Sequence, residues 1–545
     1  MSLHQALVWC AATLMAASLP AQAQRGPVVD APVGKVEGQA QGELLVFKGL
    51  PYARAPMGKD RWRPPQPFPD WRGVRKATEF GPSCFQPPVA ADSLYADDPG
   101  PMSEDCLSLN VWAPKDARHA PVFVWIHGGA LNIGTSRLGM YDGSGLARQG
   151  VIVVSINYRL GVLGWLAHQE LGAESAEGLS GNYGLLDQIE ALRWVRRNIS
   201  AFGGDPSNVT IAGESAGGLS VMYLMVSPPA RGLFHKAIAE SAYMISTPEL
   251  KHDNHGHPSA ESAGVEIMTK LGAHSLADLR AMDPGKLTNA AAAAGFAPFG
   301  AVDGQILPRQ LVEAFDRGEQ APVPLLAGSN SGEIRSLRYL APPIPKTAGE
   351  YEAAIRARYG DLADNFLRLY PGAHLEESVL ETTRDALYSW TSQRLAIKQT
   401  ALGQPAYLYF FDHGYPAMDQ AGLHGFHASE LPYVFGALDR LSANWPKPPH
   451  TPQEAALSDA VIGYWTSFAK TGRPTAEGHP DWPAYGQTAA FMDFQAAPRP
   501  ATNLLPGMYP FVEQVVCRRR AAGDQPWNWN AGLAAPPLPP KAPGC

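Results

Sequence analysis

Runs of apolar residues alternate along the chain with segments whose apolar positions recur at helical spacing. The runs "PVFVWIHGG" at 121–129 and "GVIVVSINYR" at 150–159 are rich in β-branched residues and end at turn residues. Continuous runs of this kind are typical of strands buried on both faces of a parallel sheet. The segment 182–199 instead has a helical period, with apolar residues at Leu185, Ile189, Leu192, Val195 and Ile199. These patterns predict two buried strands followed by a helix.

The same alternation continues to about residue 520. "NVTIAG" at 208–213 predicts a strand and "AGGLSVMYLMVS" at 216–227 a helix, and later strands are predicted at 323–333 and 405–414. A helix-rich segment covers roughly 347–402, and a late helix is stopped by Gly472 and Pro474. Alternating strands and helices predict an α/β fold, with a mostly parallel sheet between layers of helices.

The sequence shows no feature that would divide the chain into several domains. Because no repeat and no Ser/Gly-rich linker is visible, we expect one domain over 24–520. The segment 521–545 is rich in proline and should form an extended or mobile tail.

The first 23 residues differ from the rest of the chain. "LVWCAATLMAASL" has the length of a signal-peptide core, and Ala21 and Ala23 fit the small residues before a cleavage site. Since no Lys or Arg precedes the core, a buried N-terminal helix is the alternative. A signal peptide at 1–23 predicts a secreted or periplasmic protein. No later segment approaches the roughly 20 apolar residues of a membrane span.

Composition and net charge restrict the kinds of molecule that the protein could bind. The chain is 45% hydrophobic and 17% charged, as in ordinary globular proteins, with a net charge of −7. No basic run is longer than "CRRR" at 517–520, which argues against binding of nucleic acid. These properties leave the oligomeric state open.

Four cysteines lie beyond the predicted signal peptide: Cys84, Cys106, Cys517 and Cys545. An exported protein meets an oxidising compartment, where disulfides form, and four cysteines allow three pairings. Cys84 with Cys106 would close a Pro-rich loop, and Cys517 with Cys545 would tether the tail. A zinc site is the competing interpretation, but the spacing Cys-x-x-Cys does not occur, so we predict no metal.

The pentapeptide "GESAG" at 213–217 lies between a predicted strand and a predicted helix. A Gly-x-Ser-x-Gly motif in this context forms a sharp turn that exposes a nucleophilic serine, here Ser215. The N–H of Ala216 would then point to where an oxyanion forms. In "WIHGGALNIG" a His-Gly-Gly turn follows a strand, and Gly129 and Ala130 are the candidates for further backbone donors. A purely structural turn is the alternative for each motif taken alone.

Longer segments resemble the type B carboxylesterase family, which includes bacterial para-nitrobenzyl esterases, animal carboxylesterases and cholinesterases. "SEDCLSLNVWAP" at 103–114 and "FGGDPSNVTIAGESAGG" at 202–218 are similar to the family's two signature stretches almost residue for residue. "VVSINYRLGVLGWL" at 153–166 adds to the resemblance, which spans about 28–494. It implies the α/β-hydrolase fold, with long loop and helical insertions that form an active-site gorge.

The resemblance also implies roles for residues of the two turns. Ser215 matches the family's nucleophile, and Gly129, Ala130 and Ala216 match its three backbone donors of the oxyanion hole. A serine hydroxyl needs a base and an orienting acid, which in this fold follow the serine along the chain in the order acid, base.

The acid and the base are selected in the same way. "GSNSGEI" is similar to the family's "GTNKDEG" and selects Glu333, although Gly332 stands where an acidic residue is usual and Ile334 where glycine is common. "GLHGFHASELPYVFG" offers two histidines, His424 and His427. The family's histidine stands three residues before a glutamate, which selects His427 and leaves His424 as the alternative.

These assignments imply a serine carboxylesterase that acts through an acyl-enzyme on a small-molecule ester, with no metal or organic cofactor. A carbamate or an activated amide is an alternative substrate, because the same triad serves them. A non-catalytic binding protein is disfavoured, since nucleophile, acid and base are all present. Cholinesterases carry a tryptophan shortly before "SEDC", where Tyr95 is the only aromatic residue here, so a choline ester is not favoured.

Other charged residues near these motifs receive structural interpretations. Glu104 and Asp105 are paired acids beside a cysteine, but the resemblance makes Glu104 half of an ion pair with Arg61. Arg335 and Arg338 closely follow the predicted acid and could attract an anionic substrate. We favour solvated arginines on a loop.

Overall fold

The structure is a computed structural model that describes residues 26–527 and 532–545. The predicted signal peptide at 1–23, with its cleavage site, lies outside these residues. Within them, no helix combines the length and the apolar character needed to cross a bilayer.

The described residues form a large central sheet and three small ones. The strands are β1 (Val28–Ala31), β2 (Gly34–Glu37), β3 (Gln39–Gln41), β4 (Leu44–Pro51), β5 (Ala53–Arg54), β6 (Gln66–Pro67), β7 (Val74–Lys76), β8 (Ser83–Cys84), β9 (Met102–Ser103), β10 (Ser108–Pro114), β11 (Ala120–Ile126), β12 (Ile152–Ile156), β13 (Gly204–Glu214), β14 (Lys236–Glu240), β15 (Leu325–Asn330), β16 (Ala406–Phe411), β17 (Ala490–Phe494) and β18 (Pro498–Thr502). The central sheet has eleven strands in the order β18-β17-β16-β15-β14-β13-β11-β12-β10-β4-β3.

The middle of the central sheet is parallel and its edges are antiparallel. Every neighbouring pair from β12 through β11 to β17 is parallel, whereas β18 at one edge and β10, β4 and β3 at the other pair in the antiparallel sense. All residues of β12, β14, β15 and β16 are buried. The burial of β12 confirms the prediction drawn from its continuous apolar run, because both faces of the strand are covered. The strand β14 was not predicted, since its sequence "KAIAE" carries a charge at each end.

Helices cover both faces of the sheet. They are α1 (Ser144–Ala147), α2 (Gly161–Trp165), α3 (Gln169–Glu174), α4 (Tyr183–Asn198), α5 (Ala216–Val226), α6 (Ala260–Lys270), α7 (Leu276–Ala281), α8 (Pro284–Ala293), α9 (Leu311–Asp316), α10 (Ala348–Tyr359), α11 (Ala363–Leu369), α12 (Leu375–Arg384), α13 (Trp390–Ala401), α14 (Pro416–Gln420), α15 (Leu431–Phe435), α16 (Pro452–Thr471) and α17 (Met508–Ala522). A π-helical turn, Asp385–Ser389, joins α12 to α13. The predicted helices at 182–199 and before Gly472 are present as α4 and α16.

Alternate residues of β11 face two different hydrophobic cores. Val124 and Ile126 belong to the core that includes α4 and α5, whereas Phe123 and Trp125 belong to the core that includes α15 and α16. This alternation follows from the two-residue period of a strand. The sheet is therefore a rigid platform with packed helices on both sides.

The carboxyl ends of the parallel strands meet at one edge of this platform. The His-Gly-Gly turn follows β11, Ser215 follows β13, and Glu333 comes three residues after β15 ends. His427 lies in the loop between α14 and α15, beyond β16. In open α/β sheets this edge is where ligands bind.

Cys84 and Cys106 form a disulfide that closes the Pro-rich loop between them. Beside it the buried Arg61 guanidinium pairs with the Glu104 carboxylate at 2.6 Å. This ion pair, which the resemblance implies, is therefore confirmed.

Cys517 in α17 forms the second disulfide, with Cys545. The tail is not a free extension, since Trp527 is fully buried in the larger core and its Nε1–H donates to the Met244 carbonyl oxygen at 3.3 Å. The Gly532 N–H also donates to the Tyr359 hydroxyl at 2.8 Å. The cysteine tether is the one considered in the sequence analysis, whereas the proline content gave no sign of the contacts made by Trp527 and Gly532.

Candidate active site

The turn between β13 and α5 holds Ser215 in a strained backbone conformation, with φ 57° and ψ −121°. The Ser215 N–H donates to the Glu240 carbonyl oxygen at 3.0 Å, and the Leu219 N–H donates to the Ser215 carbonyl oxygen at 2.9 Å. The turn is tight enough that a Cβ at Gly217 would lie 2.1 Å from the Ile126 carbonyl oxygen. Strain of this kind is typical of functional sites, and a serine on such a strand-to-helix turn presents its hydroxyl away from the sheet.

The turn after β11 packs against this serine. A Cβ at Gly128 would come within 3.2 Å of the Ser215 Cβ, so the close approach depends on a residue without a side chain. Gly129 and Ala130 follow with φ of 104° and 54°. Among the described residues no acceptor takes the N–H of either one. Ala216 begins α5, and the first N–H of a helix has no partner within the helix.

Glu333 and His427, 94 residues apart in the chain, form a buried pair. His427 Nδ1 lies 2.5 Å from Glu333 Oε2, and Glu333 Oε1 accepts the Asn330 N–H at 2.9 Å. The Gly332 N–H donates to the Gly425 carbonyl oxygen at 2.7 Å, and a Cβ at position 332 would lie 3.1 Å from that oxygen. The glycine that departs from the family pattern thus allows the Glu333 turn to approach the loop between α14 and α15, which carries His427 and which we call the histidine loop.

The second ring nitrogen of His427 faces Glu214. His427 Nε2 lies 3.0 Å from Glu214 Oε1, and within the part of the chain that the structure describes no hydrogen bond joins His427 to the Ser215 hydroxyl. Glu214 and Ser215 are consecutive, so Nε2 lies beside the serine turn. In free enzymes such hydrogen bonds are often long or poorly aligned, and they tighten when substrate binds.

These contacts determine how the buried pair titrates. Burial opposes a charged His427, but the charges of Glu214 and Glu333 and the hydrogen bond to Glu333 prevail and raise the pKa of the imidazole to about 9. Burial raises the pKa of Glu214 to about 7, against the opposing charge of His427. The imidazole of the free site therefore keeps its proton to a higher pH than an ordinary histidine does.

Two further carboxyl groups are buried close to this pair. Trp465 Nε1–H donates to Glu240 Oε1 at 3.0 Å, and Asn330 Nδ2–H donates to Glu430 Oε2 at 2.5 Å. Burial, reinforced by the charge of Glu214, raises the pKa of Glu240 to about 8 and that of Glu430 well above its usual range. The sequence patterns did not predict that Glu214, Glu240 and Glu430 are buried close together. Glu214 stands in the motif "GESAG", and Glu430 stands in "HASELP".

Two other histidines of this region are held by different groups. His424 Nδ1 lies 2.8 Å from Asp419 Oδ1 and Nε2 lies 3.2 Å from Asp412 Oδ1, on a partly exposed surface. His127 is buried and stacks on Tyr158, and burial lowers its pKa to about 4, so it is neutral. Neither is within hydrogen-bond distance of Glu333 among the described residues.

The arginines after Glu333 already have partners. Arg335 Nη2 lies 2.7 Å from Glu377 Oε2, and Arg338 pairs with Glu376. Both carboxylates belong to α12, so these ion pairs hold the loop against that helix. Over the described ranges no group of three or more His, Cys, Asp or Glu side chains is arranged to bind a metal ion.

Comparisons with known proteins identify the family of the chain. A model of the carboxylesterase family matches residues 25–508. The para-nitrobenzyl esterase of Bacillus subtilis is 38% identical over 467 residues, which cover 84% of this chain and 92% of that protein. The fumonisin B1 esterase of Sphingopyxis macrogoltabida is 34% identical over 478 residues, which cover 85% of each protein.

A solved carboxylesterase of Geobacillus stearothermophilus has a TM-score of 0.77 at 33% identity, and the match covers 89% of this chain and 99% of that one. The central sheet, its two helical layers and the serine at the strand-to-helix turn define an α/β-hydrolase. The chain belongs to the carboxylesterase family, as its signature stretches predict, and it is a carboxylic ester hydrolase.

Proposed function

We propose that Ser215 is the nucleophile, His427 the general base and Glu333 the orienting acid of this esterase. The observation that carries the proposal is the 2.5 Å contact between His427 Nδ1 and Glu333 Oε2, with the opposite ring nitrogen beside the Ser215 turn. A carboxylate at Nδ1 holds the tautomer in which Nε2 accepts a proton, and it stabilises the imidazolium that forms.

The reaction then has two halves. When the imidazole is neutral, His427 Nε2 turns from Glu214 to the Ser215 hydroxyl and takes its proton as the oxygen attacks the ester carbonyl carbon. The imidazolium returns that proton to the departing alcohol, which leaves an acyl-enzyme on Ser215. His427 next takes a proton from a water molecule, whose oxygen attacks the acyl carbon. The imidazolium returns that proton to the Ser215 oxygen as the carboxylic acid departs.

The developing oxyanion would be bound by backbone N–H groups of Gly129, Ala130 and Ala216. Support comes from the free N–H groups of the first two residues and from the position of Ala216 at the start of α5. Donors that are oriented before the reaction stabilise the charge of both tetrahedral intermediates without reorganising.

The surroundings of His427 support neutral, largely apolar esters as substrates. Tyr388 belongs to the π-helical turn, and its ring centroid lies 5.2 Å from that of His427. Such turns are frequent at functional sites. Tyr388 belongs to a buried apolar cluster with five aliphatic residues: Ile245, Ile334, Leu337, Leu380 and Leu387. The names of the relatives, which include para-nitrobenzyl and fumonisin B1 esterases, make an ester substrate the natural choice for a first assay.

The experiment is an assay of the purified protein on p-nitrophenyl esters of increasing acyl length, with p-nitrobenzyl acetate and a matched carbamate alongside. We expect hydrolysis of the short-chain esters and a loss of about 10⁴-fold or more in kcat for Ser215→Ala. A Ser215→Ala variant within severalfold of the unmodified protein would contradict the assignment of the nucleophile.

We also propose that residues 1–23 direct export and are removed after Ala23. The two disulfides support this, because disulfides persist in oxidising compartments. N-terminal sequencing of the exported protein should then begin at Gln24. Accumulation of a chain that begins at Met1 in the cytoplasm would contradict it.

A further inference from the structure

Tyr95, in the loop closed by the Cys84–Cys106 disulfide, contacts the histidine loop through its side chain. The Tyr95 hydroxyl donates to the His427 carbonyl oxygen at 3.0 Å, and it lies 2.8 Å from Ser336 Oγ. Ser336 directly follows the 3-10 turn that begins at Glu333. A single hydroxyl thus connects the loop of the predicted base with the turn of the predicted acid.

Tyr95 is held in this position by three residues, Ser442, Asn444 and Trp445, which we call the latch. The Ser442 hydroxyl donates to the Leu94 carbonyl oxygen at 2.7 Å. Asn444 Nδ2–H donates to the carbonyl oxygens of residues 91 and 93, at 2.7 Å and 2.8 Å. The Trp445 ring packs edge-on against Tyr95, with centroids 6.2 Å apart. The latch therefore restrains both the backbone and the ring next to the hydroxyl.

The histidine loop is a segment in which such a restraint matters. Ala428, directly after His427, has φ 68°, and His424 has φ 47°. Residues with a Cβ rarely adopt this left-handed region, so the conformation of the loop depends on surrounding contacts. A donor to the His427 carbonyl oxygen fixes the peptide between His427 and Ala428, and with it the direction in which the imidazole points.

We propose that Tyr95 is a positioning residue. Its hydrogen bond to the His427 carbonyl oxygen holds the imidazole in line with Ser215 and Glu333. The inference rests on the proposed function, since it assumes that His427 is the base. The Tyr95 ring also packs edge-on against the His427 ring, with centroids 6.4 Å apart. The hydroxyl itself acts on the backbone and not on the reacting atoms, so its effect should appear in the rate of the chemical step rather than in substrate binding.

Tyr95→Phe is the direct test, because it keeps the ring contact with Trp445 and removes only the hydroxyl. We expect kcat on p-nitrophenyl acetate to fall about 3- to 10-fold, as for one lost hydrogen bond, with KM within twofold. The matched control is Tyr351→Phe, which removes a buried hydroxyl that donates to the Tyr370 carbonyl oxygen at the same 3.0 Å, away from the site. Its kcat should stay within twofold.

A second readout follows the serine itself. Phenylmethanesulfonyl fluoride sulfonylates an activated serine with release of fluoride, and its inactivation rate should fall by the same factor as kcat in Tyr95→Phe. Asn444→Ala, which loosens the latch, should also lower kcat, but should add less than twofold when Tyr95→Phe is already present.

The inference is overturned if Tyr95→Phe keeps kcat and the inactivation rate within twofold, if Tyr351→Phe lowers them equally, or if the Asn444 and Tyr95 effects simply multiply. A failure of the proposed function looks different, because Ser215→Ala would then retain activity whatever the behaviour of Tyr95→Phe.

Discussion

His424 and His427 stand three residues apart in one loop, and each imidazole lies between two carboxylates. The ring nitrogens of His427 are 2.5 Å and 3.0 Å from carboxylate oxygens of Glu333 and Glu214. Those of His424 are 2.8 Å and 3.2 Å from carboxylate oxygens of two aspartates. By contacts alone the two histidines look alike.

Their surroundings separate them. The His427 side chain is 7% exposed and that of His424 is 40% exposed. Charges interact strongly where water is excluded and weakly where solvent screens them, so the two carboxylates act on His427 far more than the aspartates act on His424. Only His427 also lies beside the Ser215 turn. A histidine between carboxylates is therefore a candidate base only if it is also buried next to a nucleophile.

The largest effect that follows from this comparison is the loss of His427. We expect His427→Ala to lower kcat by about 10⁴-fold or more, because Ser215 then has no group to take its proton. Steady-state hydrolysis of p-nitrophenyl acetate measures it. Appreciable activity in this variant would remove the distinction between the two histidines.

Glu333→Gln should come next, with a fall in kcat of about 10³- to 10⁴-fold at nearly unchanged KM. An amide at this position no longer holds the tautomer of His427 or stabilises its charged form. Glu377→Gln, which loses only the exposed pair with Arg335, is the control and should stay within twofold. Equal losses in both variants would contradict a specific role for Glu333.

Glu214→Gln should change the pH dependence more than the maximal rate. Since the negative charge of Glu214 helps to raise the pKa of His427 to about 9, its removal should lower that pKa. The acidic limb of kcat/KM, which reports the free enzyme, should then move to lower pH by about one unit or more. If the acidic limb of kcat/KM does not move, or moves to higher pH, Glu214 does not raise the pKa of His427.

His424→Ala should have the smallest effect. Its aspartate contacts are partly exposed, and such pairs contribute between 0 and about 1 kcal/mol to the free energy of unfolding. We expect kcat within twofold and a melting temperature lowered by no more than about 2 °C. A large loss of activity here, beside an active His427→Ala variant, would reverse the assignment.

The fold and the serine turn were predictable from local patterns. Continuous apolar runs predicted the strands β11 and β12, and "GESAG" between a strand and a helix predicted the turn at Ser215, because both depend on short-range sequence. The choice between His424 and His427 was different. Spacing left it open, and only the family resemblance selected His427.

The contacts of Glu214 and Tyr95 could not be predicted from local patterns. The first depends on the orientation of the His427 ring, and the second joins residues 332 positions apart in the chain through a loop with no regular structure. Such contacts arise only after the sheet and the disulfide-closed loop have been brought together. Tyr95 was singled out in the sequence as a lone aromatic residue, but its hydrogen bond to the histidine loop was not foreseen.

The most direct measurement is mass spectrometry of the protein after reaction with a fluorophosphonate, which attaches covalently to an activated serine. We predict one adduct, on the peptide that contains Ser215, formed at an unchanged rate in His424→Ala and far more slowly in His427→Ala and Glu333→Gln. An adduct on another residue, or a rate that depends on His424 and not on His427, would contradict the triad of Ser215, His427 and Glu333.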